Sequence, residues 1–275
     1  MSVKGFSTGV YGWMERWRSD GRELDWNGIF RACAESGLDA VEINAQPERL
    51  GQARAHGLAV SATYVGLQLH EPWETLDAEV SIRPLAERLA EAGGSDLLIN
   101  ADPAGSWSDP LRKTEEHMKR QGDNLSRIEG LVRPLGLKVA MHNHAADQHN
   151  AEADLLSVIR YADPRVGLCV DTGWAYVAGC DPLEWVRAYA GRVYAFHLRN
   201  QYGKTPAEDL LEGDLDIAAI VKTAMEAGYD GWLSLELWHP DSMNPKRSMT
   251  EDTKRSIGYL RELLQACDPL AGHLP

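Results

Sequence analysis

The stretch PLGLKVAMHNH at residues 134–144 contains the pattern that decides the fold. A glycine ends a helix-like segment, a short apolar run follows, and polar side chains come directly after that run. The same order recurs along the chain. Its other instances are ESGLDAVEIN (35–44), AHGLAVSATY (55–64), EAGGSDLLIN (91–100), ADPRVGLCVDT (162–172), YAGRVYAFHLRN (189–200) and EAGYDGWLSLEL (226–237).

Together with GFSTGVYGW at 5–13, these stretches make eight candidate strands. Their apolar runs are nearly continuous, as in parallel strands buried on both faces, and the intervening segments are long enough for crossover helices. An open doubly wound sheet would usually carry the phosphate-binding sequence G-x-G-x-x-G after its first strand, which this chain lacks. The pattern therefore predicts an α/β protein with a single (β/α)8 barrel, a TIM barrel, as one domain over residues 1–275.

Two segments outside the strands also carry a structural prediction. The stretch DPAGSWSDPLRKTEEH (102–117) is rich in proline and serine, and we expect it to form an extended loop over the active face before a helix begins. The tail TEDTKRSIGYLRELLQ (250–265) begins with Thr-x-x-Thr and spaces Ile257, Leu260 and Leu264 along one face. This tail predicts the last outer helix of the barrel.

The composition excludes several classes of partner. The formal net charge of −13 repels phosphate backbones, so we expect no binding to nucleic acid and a small-molecule partner instead. No apolar run reaches the ~20 residues of a membrane span, and the N-terminus lacks the apolar stretch of a signal peptide, so we expect a cytoplasmic protein with no membrane partner. The four cysteines are scattered, which suggests neither a disulfide framework nor a thiolate zinc site. The sequence is compatible with a homo-oligomer.

The last four predicted strands all end in good metal ligands, which are His142, Asp171, His197 and Glu236. One such residue alone is more often a helix cap or a hydrogen-bonding loop residue. Four at equivalent strand ends indicate a metal site, because functional side chains of barrels meet at that face and an unpaired buried carboxylate is costly. Two imidazoles and two carboxylates suit a divalent transition metal better than Ca²⁺. We expect Mn²⁺ first, with Co²⁺, Mg²⁺ or Zn²⁺ as alternatives.

Other polar residues are candidates for the pocket. His144 shares the inward side with His142 and could act as a general base or as a hydrogen-bonding orienter. Arg199 could grip a substrate oxygen or form an ion pair at the rim. Glu42, at the end of the second strand, could hydrogen-bond a substrate hydroxyl or a ligand histidine. The remaining substrate-binding candidates are Asn100, Trp174 and Asp147.

These residues resemble the sugar phosphate isomerase/epimerase-like barrels, also called xylose isomerase-like, and the likeness spans nearly the whole chain. Its specific parts are MHNHAAD (141–147), VDTGWAYVAGCDP (170–182), GRVYAFHLRNQ (191–201), EGDLDIAAI (212–220) and GYDGWLSLELW (228–238). The resemblance implies a metal held by a Glu, an Asp, a His and a Glu from the last four strands. The matching positions here are His142, Asp171, His197 and Glu236.

This chain departs from the family pattern at three places. His142 stands where many ketose epimerases carry one of the two opposed glutamates that move the proton, which puts a two-glutamate mechanism in doubt. Other members carry an acid three residues after the second histidine, and Asp147 matches it as a shorter carboxylate that could replace a ligand. Trp174 and Arg199-Asn200 replace a His and a Lys-Asp of many members, which implies an altered substrate.

Members of this family include epimerases, isomerases, dehydratases, glycoside-cleaving lyases and DNA-repair endonucleases, and the net charge argues against the last. The others share removal of a proton next to a metal-held carbonyl or hydroxyl. We therefore expect a metal-dependent sugar or keto-sugar isomerase or epimerase, with His144 or Glu236 as proton carrier and Arg199 beside them. The alternatives are a lyase or dehydratase that acts by β-elimination on a keto-sugar, keto-inositol or 3-keto-glycoside, and a non-catalytic sugar-binding barrel.

Overall fold

A computed structural model describes residues 3–240 and 243–267, and it contains a strand in each of the eight predicted stretches. The predicted barrel is confirmed. Its strands are β1 Gly5–Thr8, β2 Ala40–Glu42, β3 Ala59–Leu67, β4 Asp96–Ala101, β5 Lys138–His142, β6 Val166–Asp171, β7 Val193–His197 and β8 Trp232–Leu235.

Backbone pairing closes these strands into a ring. Strands β2 to β7 form one parallel sheet in chain order, and β1 pairs in parallel with β8. Two bridges join the sheets, one between Gly9 and Glu42 and one between Leu198 and Leu235. The amide of Glu236 also donates to the carbonyl of Leu198 at 2.9 Å. The carboxyl ends of all eight strands therefore meet at one face, where barrels carry their functional side chains.

Helices cover the outside of the ring. The helix Ile217–Glu226 buries Ile217, Ile220, Val221 and Ala224, a spacing that gives one apolar stripe toward the sheet. The α-helices within the described residues are α1 Tyr11–Ser19, α2 Trp26–Glu35, α3 Pro47–Ala55, α4 Trp73–Leu76, α5 Ala78–Ser81, α6 Arg83–Glu91, α7 Glu115–Val132, α8 Gln148–Leu156, α9 Thr172–Val177, α10 Pro182–Tyr189, α11 Ile217–Glu226 and α12 Met249–Ala266. No helix of the described ranges is both long and apolar enough to cross a membrane.

Strand alternation divides the buried residues into two layers. Outward-facing side chains such as Ile99, Met141 and Phe196 pack under the helices in the large core. The inward-facing layer is built from small residues, with Leu98 as its largest member. Its members are Ala62, Leu98, Ala140, Cys169 and Ala195. Two residues further along β5, β6 and β7 the same inward face carries the predicted metal ligands.

The last helix is confirmed, and its N-cap is a serine two residues before the predicted stretch. Helix α12 begins at Met249 rather than at the Thr-x-x-Thr stretch. Ser248 is its N-cap, because the hydroxyl of Ser248 accepts from the amide of Glu251 at 3.2 Å and the carboxylate of Glu251 accepts from the amide of Ser248 at 3.0 Å. This reciprocal pair is a capping box, which satisfies two amides that a helix start leaves unpaired.

Two short antiparallel hairpins lie in the loops that follow β4 and β7. The first pairs Ala104–Gly105 with Pro110–Leu111, inside the segment predicted to form an extended loop. The second pairs Gln201–Tyr202 with Thr205–Pro206. Both follow the carboxyl ends of barrel strands, so they stand at the functional face.

Candidate metal centre

Four polar side chains end the last four strands and lie near one another. His142, Asp171 and His197 are the final residues of β5, β6 and β7, and Glu236 follows β8 directly. The donor atoms of His142, Asp171 and His197 all lie within 4.8 Å of one another. Glu236 stands beside this trio, with its Oε2 3.8 Å from Nδ1 of His197. The trio is a candidate His/Asp/His metal site.

Neighbouring side chains fix the orientation of both histidines. Asn100 donates through its Nδ2 to Asp102, so its Oδ1 faces Nδ1 of His142 at 3.2 Å and accepts from it. Nε2 of His197 lies 2.8 Å from Oε2 of Glu42 and donates to that carboxylate. Such contacts set the tautomer of each ring. When both rings are neutral, the atoms left with a lone pair are Nε2 of His142 and Nδ1 of His197.

Asp171 is held in place as a charged carboxylate. Its Oδ1 accepts from the amide of Trp174 at 2.7 Å and from Nε of Arg199 at 2.9 Å. Its Oδ2 lies 3.5 Å from Nε2 of His142. Burial alone would raise the pKa of Asp171, but Arg199 and the two histidines together hold it well below its usual range.

The unpaired atoms of this cluster match the donor set of a metal. Among the residues that the structure describes, four buried atoms of the cluster have no hydrogen-bond partner, and these are Nε2 of His142, Oδ2 of Asp171, Nδ1 of His197 and Oε2 of Glu236. An unpaired buried polar atom is costly, so four in one cluster need an explanation. Two imidazole nitrogens and two carboxylate oxygens are donors that divalent transition metals accept. The residues present therefore fit such an ion.

The electrostatics of the cluster lead to the same conclusion. Burial, and then the charges of Glu42 and Asp171, raise the pKa of Glu236 to about 7 against the opposing effect of His197. Burial lowers the pKa of His197, but Cys169, Glu42 and Glu236 outweigh that effect and raise it well above 6.5. The shift of His197 reports negative charge at this end of the barrel, whereas that of Glu236 comes first from burial. A bound cation would neutralise this negative charge.

Gly9 provides the space that Glu236 occupies. A Cβ atom on Gly9 would lie 2.2 Å from Oε2 of Glu236, well inside any real contact distance. No local feature of the sequence marks this glycine as part of the site. Its neighbour comes from the opposite end of the chain, and only the closed ring brings the two together.

His144 lies beside the cluster and against two tryptophans. Its ring centroid lies 5.7 Å from that of His142, 4.1 Å from that of Trp174 and 5.0 Å from that of Trp107. Trp107 belongs to the loop between the first hairpin's strands, so this loop does reach the functional face. Burial lowers the pKa of His144 to about 3, which keeps the ring neutral near neutral pH. Whether His144 acts as a base or as an orienter stays a prediction.

Two other candidates have clear partners. Arg199 forms an ion pair with Asp171, as one of its two predicted roles requires, but it is buried rather than at the rim. Asp147 is not brought into the trio. It caps helix α8, with Oδ1 accepting from the amide of Asn150 and Oδ2 from the Nδ2 of the same residue, both at 2.9 Å. Its replacement of a metal ligand is therefore not favoured.

The comparisons with known proteins agree with the fold. A family model described as xylose isomerase-like TIM barrel matches residues 30–263. Inosose dehydratase of Geobacillus kaustophilus is 23% identical over 246 residues, which cover 76% of this chain and 78% of that protein. A solved structure of L-ribulose 3-epimerase has a TM-score of 0.72 at 16% identity and covers 100% of both chains. A structure of the IolI protein with a bound zinc atom has a TM-score of 0.70 at 14% identity, over 97% of this chain and 100% of that one.

Proposed function

Because the chain belongs to the xylose isomerase-like TIM barrel family, we propose that it is a divalent-metal-dependent isomerase or epimerase of a sugar or keto-sugar. The observation that carries the proposal is the set of four unpaired donor atoms on His142, Asp171, His197 and Glu236. The metal, when bound, supplies positive charge that stabilises the negative charge which develops on the substrate as a proton leaves. We propose Mn²⁺ first, with Co²⁺, Mg²⁺ or Zn²⁺ as alternatives, and the zinc-bound IolI structure supports a metal in this fold.

Glu236 is our first candidate for the proton carrier. It stands outside the trio of His142, Asp171 and His197, so these three can hold the metal while Glu236 takes up a proton. His144 is the second candidate, because its ring lies next to His142 and, within the described part of the chain, its buried Nδ1 has no partner. A general base must reach the proton that it removes, and both side chains lie at the barrel mouth.

Arg199 orients Asp171 and has a second nitrogen that is not engaged by the described residues. Its Nε donates to Asp171, while its Nη2 is buried and unpaired as far as the described residues go. We propose that this Nη2 donates to a substrate oxygen. A guanidinium that binds both a metal ligand and the substrate would hold the reacting carbon at a fixed position relative to the metal. Glu42, Asn100, Trp174 and Asp147 remain proposed pocket residues.

β-Elimination is the second candidate reaction. His142 occupies the position of one of the two glutamates that ketose epimerases use, and Glu42 is engaged with His197. One carboxylate, Glu236, is then left to remove a proton, and a single base is enough for an elimination. The similarity to an inosose dehydratase supports the same alternative. The substrate would be a keto-sugar, a keto-inositol or a 3-keto-glycoside.

Hydrogen exchange in heavy water tests the proposal. With Mn²⁺ present, the protein should exchange a carbon-bound hydrogen of its substrate within a panel of sugars and keto-sugars. Glu236→Gln should lower the exchange rate by about 100-fold or more. Glu226→Gln, on the exposed surface of α11, is the control and should leave the rate unchanged.

The products separate the alternatives. A product of unchanged mass indicates isomerisation or epimerisation, and loss of water or of an aglycone indicates elimination. Metal binding without exchange on any substrate of the panel would contradict both and leave a sugar-binding barrel. Failure of the purified protein to bind any divalent metal would contradict the proposed centre itself.

A further inference from the structure

A cavity adjoins the candidate metal centre. It has a volume of about 130 Å³ and lies beneath the first hairpin. Its walls are mainly apolar and include Ala101, Pro103, Trp107, Pro110, Ala145 and Trp174. His144 also lines it, and the same ring packs against His142 of the metal centre. A molecule bound at the metal centre could therefore extend past His144 into this cavity.

A buried ion pair lies at one side of the cavity. Lys113 and Asp154 both line it, their side chains are 1% exposed, and Nζ of Lys113 lies 2.5 Å from Oδ1 of Asp154. Gln121 donates to the same Oδ1 at 2.9 Å. The other oxygen of Asp154, Oδ2, is buried and has no hydrogen-bond partner in residues 3–240 and 243–267. The proposed metal centre does not use this pair.

An unpaired carboxylate oxygen in an apolar cavity requires a donor. Leaving it without one would cost free energy, and native proteins usually satisfy such atoms with protein, water or ligand. Lys113 and Gln121 both donate to Oδ1, and their further hydrogen bonds go to Oε1 of Gln121 and to Ser157, respectively. The free Oδ2 of Asp154 therefore favours a ligand that brings a hydrogen-bond donor into this mainly apolar space, in which Nδ1 of His144 is also unpaired among the described residues.

We propose that this cavity binds a phenol-type ring, whose single hydroxyl donates to Oδ2 of Asp154. The volume is close to the roughly 150 Å³ of an apolar cavity that accepts benzene. Trp107 and Trp174 offer aromatic surface for an offset or edge-to-face contact. A sugar ring fits less well, because it carries several hydroxyls that the apolar walls would leave unpaired.

The position of the cavity identifies the substrate class. A ring bound there lies next to the metal centre, so we infer that it is the non-reacting part of the substrate, a hydroxyaryl group joined to a sugar. Binding energy from such a remote group can position the reacting carbon. This second step rests on the proposed function, whereas the binding of phenol in the cavity does not.

Titration calorimetry of the full chain as purified tests the cavity. Phenol should bind at least tenfold more tightly than anisole, which has the same ring and oxygen but no donor hydrogen. Trp107→Ala removes one wall and should weaken phenol binding about fivefold or more. Trp107 is 58% exposed, so this variant should fold. Tyr202→Ala, at a 51% exposed residue of the second hairpin, is the matched control and should bind phenol like the unmodified chain.

Several results would overturn the assignment. Equal affinity for phenol and anisole would remove the role of Asp154, and unchanged binding by Trp107→Ala would place phenol elsewhere. Loss of phenol binding in Glu236→Gln would place it at the metal centre instead. For the substrate class, 4-hydroxyphenyl glucoside should displace phenol more effectively than methyl glucoside, and equal displacement would contradict the link to a sugar while phenol binding still stands.

Discussion

Asn100 determines which nitrogen of His142 is free, and it does so from the neighbouring strand. Asn100→Ala should lower metal affinity by about 10- to 100-fold, because the ring of His142 loses the partner that fixes its tautomer and orientation. A calorimetric titration of the protein with Mn²⁺ measures this change in affinity. Asn44→Ala is the control, since Asn44 lies two residues after the end of β2 but is exposed. Equal effects of the two changes would contradict the assigned role.

A substitution at Gly9 tests whether Glu236 needs the space beside this glycine. In Gly9→Ala the new methyl group would lie 2.2 Å from Oε2 of Glu236 and must displace that carboxylate. We expect metal affinity to fall at least tenfold, with an unchanged circular dichroism spectrum. Gly130→Ala is the control, because a Cβ there meets none of the described residues within 4 Å. That helix substitution should stabilise the protein by up to about 1 kcal/mol and leave metal binding unchanged.

Individual residues differ in how far the sequence could identify them. His142, Asp171 and His197 were identifiable because each ends an apolar run, and parallel strands bring their ends to one face. The hydrogen bonds that orient them could not be predicted in detail, although Glu42 and Asn100 were already candidates. Gly9, Lys113 and Asp154 carried no local signal. Their importance comes from neighbours that are distant in the sequence and depends on packing alone.

At the scale of the element, the start of α12 depends on one hydroxyl. Ser248→Ala removes the side chain that accepts from the amide of Glu251, and should destabilise the protein by about 1 kcal/mol. For a chain of this size we expect the melting temperature to fall by about 2–4 °C. Thr250→Ala, two residues later, should have a smaller effect because it is not the cap. The reverse order would contradict the assignment of Ser248 as the N-cap.

Strand positions were predictable, whereas their ends and the short hairpins were not. Apolar runs mark β4 and β6 because both are buried along their whole length. Strand β3 continues to Leu67, three residues beyond the predicted stretch, because it pairs with β4 up to Ala101. The neighbouring strand with which a strand pairs decides where that strand ends. This neighbour lies elsewhere in the sequence, so a single stretch does not reveal the end.

For the whole molecule, the metal should contribute to stability. A ligand that binds only the folded state stabilises it by about 2.7 kcal/mol at a hundred times its dissociation constant. Saturating Mn²⁺ should therefore raise the melting temperature by roughly 5–10 °C, and a chelator should reverse the change. Ca²⁺ should give a smaller shift, since the unpaired donors include two imidazole nitrogens. An equal Mn²⁺ shift in Glu236→Gln would contradict a role for Glu236 as a ligand.

The pairing of β1 with β8 has a consequence for the protein during its synthesis. The hydroxyl of Thr8 donates to the carbonyl of Leu235, across 227 positions of the chain. Contacts of such separation form late, because a long loop must close before they stabilise anything. In a growing chain on the ribosome, His142, Asp171 and His197 are synthesised before Glu236. The barrel mouth is thus completed only when the last strand leaves the exit tunnel and docks beside the first.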